Sequence, residues 1–163
     1  MPRTSLQDEI KKRRPFDSPE VEAFLNLQRT AALLAGEAER LIKTFGISGS
    51  QYNALRILRG AKSGGDNALP CLEIADRMIT PVPDITRLID RLETGNLVER
   101  RRTKQDRRVV LVSITKTGLD VLAKLDQPLL ELHRRQLGHL SRKELATLND
   151  LLVTSRTPES HQH

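Results

Sequence analysis

The sequence predicts a mainly α-helical chain with one small β-hairpin, and three observations carry that prediction. Along most of the chain, apolar residues recur every three or four positions, which is the helical period. Only between Leu97 and Ile114 does the pattern shift to strand-like runs. Helix starts are marked by capping residues: Ser18 before Pro19 and Glu20, Ser48 with Gln51, Thr115, and Ser141 with Glu144. The length of 163 residues suits a single domain.

The elements follow in order. Residues 1–15 are polar and basic and read as a short helix or arm. Ser18 then opens a long helix whose stripe is Val21, Phe24, Leu27, Ala31, Leu34, Ala38, Leu41 and Phe45, ending at Gly46. At 1.5 Å per residue this helix of about 26 residues is about 40 Å long, more than one small domain needs. The Ser48–Gln51 capping box starts a second helix with Ala54, Ile57, Leu58 and Ala61 facing inward. A loop, Ser63 to Asn67, leads to Pro70, which is expected to open a short third helix with Cys71, Ile74, Ala75 and Met78 on one stripe. After the turn Ile79–Val82, a fourth helix is expected from about Pro83 to Thr94, burying Ile85, Leu88, Ile89 and Leu92. Gly95 and Asn96 stop it, since both tolerate left-handed dihedrals.

Leu97–Arg102 and Val109–Ile114 read as two strands around a charged tip, with Val110, Val112 and Ile114 on one face. Thr115 caps a fifth helix with Leu119, Leu122, Leu125, Leu129 and Leu132, which Pro128 is expected to kink or split. The Ser141–Glu144 box opens a sixth helix with Leu145, Leu148, Leu151 and Leu152. Residues 156–163 read as a disordered tail.

Composition narrows the function. Lys and Arg number 27 against 21 Asp and Glu, a net charge of +6, which favours a polyanionic partner. Aromatic residues are 2%, too few for a binder that stacks single-stranded bases on rings. No apolar run reaches the length of a membrane span, and the N-terminus lacks a secretory core, so a cytoplasmic protein is expected. One cysteine, Cys71, excludes an internal disulfide and a cysteine zinc cluster. Cys71 lies near a helix N-terminus, which lowers a thiol pKa, but also on an apolar stripe, which favours a buried structural role. His133 and His139, and His161 and His163, lack metal-ligand spacing. No Gly-rich phosphate loop or Ser-His-Asp grouping appears. No cofactor, metal or enzymatic activity is expected.

Two short helices joined by a tight turn and followed by a hairpin form a winged helix-turn-helix, whose fourth helix would enter the DNA major groove. With its apolar face buried, that helix shows Thr86, Arg87, Asp90 and Arg91 to solvent. Arg87 and Arg91, four apart, project together. They can read guanine edges or hold phosphates; the competing reading is a solvated face with internal Arg–Asp pairs. The hairpin carries Arg100, Arg101, Arg102, Lys104, Arg107 and Arg108 against the single acid Asp106. Such a charge density suits the minor groove; the alternative is an edge hairpin kept soluble by charge.

The segment ITRLIDRLETGNLVERRRTKQDRRVVLVSITKTG resembles the signature region of the MarR (multiple antibiotic resistance regulator) family. The matching residues are Thr86-Arg87, Asp90-Arg91-Leu92-Glu93, Leu97-Val98-Glu99-Arg100, Asp106-x-Arg108 and Ile114-Thr115-x-x-Gly118. The resemblance implies a homodimer joined through terminal helices (residues 1–45 and 119–155), with a DNA-binding lobe at 46–118 in each subunit. It also implies a repressor of double-stranded operator DNA, palindromic in sequence and released by a small aromatic effector. By that resemblance Arg108 enters the minor groove and Asp106 steadies the wing by pairing with an arginine; Arg102, Lys104 and Arg107 are candidate DNA contacts from the hairpin's charge density. Thr86, Arg87 and Arg91 face the major groove. Tyr52 and Arg56 are candidate effector anchors, with packing and solvation as the alternatives. Two departures stand out. Pro83 and Asp84 occupy a helix start where the family has small hydroxyl residues, so Asp84 either reads a cytosine amino group or caps the helix. The family's glycine before the wing appears one position early, as Gly95, with Asn96 in its usual place. A second function class remains: an architectural or protein-interaction winged-helix module that binds DNA without reading sequence.

Overall fold

A computed structural model describes residues 4–102 and 110–157. These form two compact units, one ending at Leu125 and one beginning at Asp126. The elements are α1 (Leu6–Glu9), α2 (Pro19–Lys43), α3 (Gly49–Ser63), β1 (Leu69–Pro70), α4 (Cys71–Asp76), α5 (Ile85–Thr94), β2 (Val98–Arg102), β3 (Val110–Ile114), α6 (Lys116–Leu137) and α7 (Arg142–Arg156). The fold is mainly helical with a small antiparallel sheet, a winged helix-turn-helix between longer helices.

The expected caps form. Ser18 Oγ accepts the Val21 amide, and Ser48 and Gln51 close a reciprocal box, as do Ser141 and Glu144. Each satisfies amides that a helix start leaves without partners. Between α5 and β2, Asn96 takes the left-handed conformation (φ 55°) while Gly95 stays at φ −78°. The Leu97 amide then donates to Leu92 O (2.9 Å) and the Asn96 amide to Glu93 O (2.8 Å), a Schellman closure. Asn96 thus makes the turn, with Gly95 one position before it.

The core of the first unit is aliphatic. Ala54, Leu55 and Leu58 of α3, Ile74 of α4, Leu88, Ile89 and Leu92 of α5, Val98 of β2 and Val112 and Ile114 of β3 are buried. Leu122 and Leu125 of α6 are buried as well. The expected inward stripe of α3 needs a correction: Leu55 is fully buried and Ile57 only half-buried. Neighbours cover a wider arc of α3, because α4, α5 and β3 all pack on it.

The hairpin is also more than a hairpin. Its sheet has three strands in the order β1-β3-β2, with Leu69 opposite Val112 and Pro70 opposite Leu111. A two-residue strand has no readable period, so its existence depends on the open edge of β3. Pro70, lacking an N–H, is tolerated on such an edge. It is therefore the strand end and N-cap of α4, and the helix expected from Pro70 begins at Cys71 and ends at Asp76, short of Met78. The helix expected from Pro83 begins at Ile85. Pro128 does not split α6, which runs from Lys116 to Leu137 through it. One lost backbone bond is outweighed where Leu122, Leu125, Leu129 and Leu132 are buried on both sides of it.

The long helix α2 forms over the expected span, Pro19–Lys43. Its stripe is not buried: Val21, Phe24 and Leu27 are exposed, and Ile42 is the buried residue of the helix. In α7 no residue is buried.

Candidate nucleic-acid interface

Helix α5 presents the candidate surface. Leu88, Ile89 and Leu92 anchor it in the core, which leaves Thr86, Arg87, Asp90 and Arg91 exposed on the far side. Its start is set by Asp84, whose Oδ1 accepts the Arg87 amide at 2.9 Å. Asp84 thus acts as a cap, and its carboxylate lies at the positive end of the helix. The turn before it is pinned from α3, where Asn53 Oδ1 accepts the Ile79 amide at 2.9 Å. No periodicity singles out Asn53, because its role depends on a chain segment 26 residues away.

The base of the wing is tied to the same helix. Val98, Arg100 and Arg102 alternate onto one face of β2. Arg100 reaches from there to Glu93, with Nε at 2.8 Å and Nη2 at 2.5 Å, and to Asp90 at 2.7 Å. Arg100 holds the Glu93 carboxyl below its ordinary range, and Glu93 in turn raises the already high Arg100 value. Counting Arg100 among the unbalanced wing cations was therefore an over-reading: two carboxylates neutralise it. The sequence showed its charge but not its direction, because the strand's reach back onto α5 is tertiary. Arg87 and Arg91 form no ion pair among the described residues, so the internal Arg–Asp pairing considered for α5 does not involve them.

Arg101 and Arg102 are exposed at the end of β2, opposite Leu111 and Val110. Lys104, Asp106, Arg107 and Arg108 lie outside the described residues. The Ile114-Thr115-x-x-Gly118 motif is resolved and is structural. Thr115 Oγ1 donates to Asn96 O (2.8 Å) and accepts the Gly118 amide (3.0 Å). Gly118 packs so closely on Leu97 O that a Cβ would not fit.

Tyr52 and Arg56, one turn apart on α3, engage each other, with the guanidinium carbon 5.7 Å from the ring centroid. Cys71 is half-buried at the start of α4. Burial raises its thiol pKa, against the opposing charge of Arg100.

Comparison with known proteins agrees with this geometry. A MarR transcription factor of known crystal structure from Planctomyces limnophilus is 44% identical, over 85% of this chain and 98% of that one, with a TM-score of 0.65. The chain belongs to the MarR family. Residues 39–125, more than half of it, match the transcriptional regulator SarA/Rot family. The HTH-type transcriptional repressor IacR of Pseudomonas putida is 26% identical over 129 residues, 79% of this chain and 74% of that protein. A MarR mutant from E. coli, solved in complex with operator DNA, shares the fold at 24% identity and a TM-score of 0.67, covering 93% of this chain and 99% of that one. This MarR-family member is thus a transcription regulator of the winged-helix kind. None of its described helices is long and apolar enough to cross a membrane.

Proposed function

We propose that this MarR-family protein is a homodimeric repressor that grips a palindromic operator in double-stranded DNA. Helix α5 lies in the major groove, with Thr86, Arg87 and Arg91 toward bases and phosphates. The wing lies in the adjacent minor groove, led by Arg102, Lys104, Arg107 and Arg108 and steadied by Asp106. The observation that carries the reading is the exposed pair Arg87 and Arg91, on a helix anchored from behind and without ion-pair partners among the described residues. Guanidinium groups on one helix face can read guanine edges bidentately or hold phosphates. The E. coli relative solved on operator DNA and the Pseudomonas repressor support the same reading.

The dimer rests on a separate observation. Phe24 is 58% exposed and Leu33 60% on α2, and Leu151 is 63% exposed on α7. Apolar faces of this extent are normally covered, and a second copy of the chain covers them in this reading. Release by a small aromatic effector follows from the family resemblance and requires that the ligand prefer one of two dimer geometries.

Selection of bound sequences from a random duplex pool tests the proposal. The expected result is a palindrome with half-sites about one helical turn apart, near 34 Å. A specific-to-nonspecific ratio below about 10³ at fixed salt would instead favour the architectural module. Arg91→Ala should change the base preference, whereas Arg108→Ala should weaken binding to all duplexes and lower the salt slope by about 0.9.

A further inference from the structure

Asp90 lies on the exposed face of α5 between Arg87 and Arg91. Arg87 stands three residues before it, close enough for an i,i+3 ion pair. In this structure Asp90 is engaged elsewhere, by Arg100 of β2 at 2.7 Å, with Glu93 as the second carboxylate on the same guanidinium. Arg100 is mostly shielded, its side chain 27% exposed, whereas Asp90 is 51% exposed. We propose that Arg100 is a positioning residue for DNA recognition: it occupies Asp90 and so leaves Arg87 available to the operator. The inference rests on the proposed DNA reading for its consequence, but not for its geometry.

The physical argument is competition. Asp90 has two cationic neighbours, one on its own helix and one on the wing strand. A guanidinium that already holds Glu93 through two nitrogens is pre-ordered, so its bond to Asp90 costs little further side-chain entropy. Arg87 would have to order a long exposed side chain for the same pair. Arg100 therefore wins Asp90, offsets one of the two negative charges on α5, and links that helix to the wing. Without it, Asp90 turns to Arg87 and withdraws that guanidinium from the operator.

Arg100→Met tests this, alone and combined with Asp90→Asn. The expected loss is about tenfold in affinity for the selected duplex, with the salt slope unchanged and most of the loss restored by Asp90→Asn. Arg87→Ala should remove the effect, so that the Arg87→Ala, Arg100→Met double variant binds like Arg87→Ala alone. A slope lowered by about 0.9 without rescue would make Arg100 a direct phosphate contact and overturn the proposal. A loss that tracks the fraction unfolded in thermal denaturation would also overturn it. Arg100→Lys, which keeps a charge but not the fork, should fall between parent and Arg100→Met. A structure of unliganded Arg100→Met separates this inference from the DNA reading. Arg87 paired with Asp90 supports the inference even if the parent binds no duplex, and Arg87 left unpaired refutes it.

Discussion

Gly118→Ala sets two opposing effects against each other at one position. In a helix, replacing glycine with alanine normally stabilises, by up to about 1 kcal/mol, through reduced backbone freedom in the unfolded chain. Gly118 lies in the first turn of α6, where that gain is smaller. Against it stands a steric conflict. A Cβ here meets the backbone carbonyl of Leu97, Cγ1 of Ile114 at 2.8 Å and Cδ2 of Leu55 at 3.3 Å. The two side chains can rotate slightly, but the carbonyl cannot move freely. Leu97 is held on both sides, its amide bonded to Leu92 O and its carbonyl accepting the Thr115 amide at 3.1 Å. Relief requires α6 to shift away from the sheet, which loosens contacts around the fully buried Leu55. Overpacking of this kind costs about 1–3 kcal/mol, and the rigid obstacle favours the upper end. After the helix gain is subtracted, a net destabilisation of about 2 kcal/mol remains. For a chain of this size that lowers the melting temperature by about 4–8 °C. Circular dichroism at 222 nm, followed through heat and urea, reads it. A melting temperature equal to or above that of the parent would refute the packing argument and reduce the motif glycine to a matter of helix propensity.

Three further outcomes follow from the structure. Asp84→Ala removes the cap on the Arg87 amide and should cost about 1 kcal/mol, seen as a lower urea midpoint with an unchanged slope. Glu93 has its carboxyl held down by Arg100, so its contribution to stability is present above the ordinary glutamate pKa and is lost as pH falls through the lower folded value. The parent should therefore lose stability on acidification below about pH 4.3 more steeply than Glu93→Gln, and parallel curves would refute the linkage. Phe24→Glu places a charge in the exposed apolar face of α2 and should shift the proposed dimer to a monomer in sedimentation at micromolar concentration; an unchanged sedimentation coefficient would refute a dimer interface through this face.

Much of this regulator was legible in its sequence because the relevant signals are local. Ser18, Ser48 and Ser141 act on amides within three residues, so their helices start where the capping residues stand. The apolar spacing of Leu88, Ile89 and Leu92 fixed which side of α5 is buried, and therefore which side carries Arg87 and Arg91. The family signature between Ile85 and Gly118 could likewise be read directly. Apolar periodicity alone left open what covers a face. The α2 stripe is strongly periodic, yet Val21, Phe24 and Leu27 are exposed, because periodicity shows that a face is apolar and not what covers it.

The sequence by itself determined the order of the long helices, their caps, the aliphatic core and the polarity of α5. Each of these follows from residues within one or two turns of each other, where backbone geometry leaves few alternatives. Only the tertiary structure decided that Arg100 turns inward onto Asp90 and Glu93, that Asn53 holds the turn at Ile79, that Leu69 and Pro70 complete the sheet, and that Gly118 has no room for a side chain. Those outcomes depend on which distant groups the packed core brings within a few ångströms, and spacing along the chain does not encode that distance.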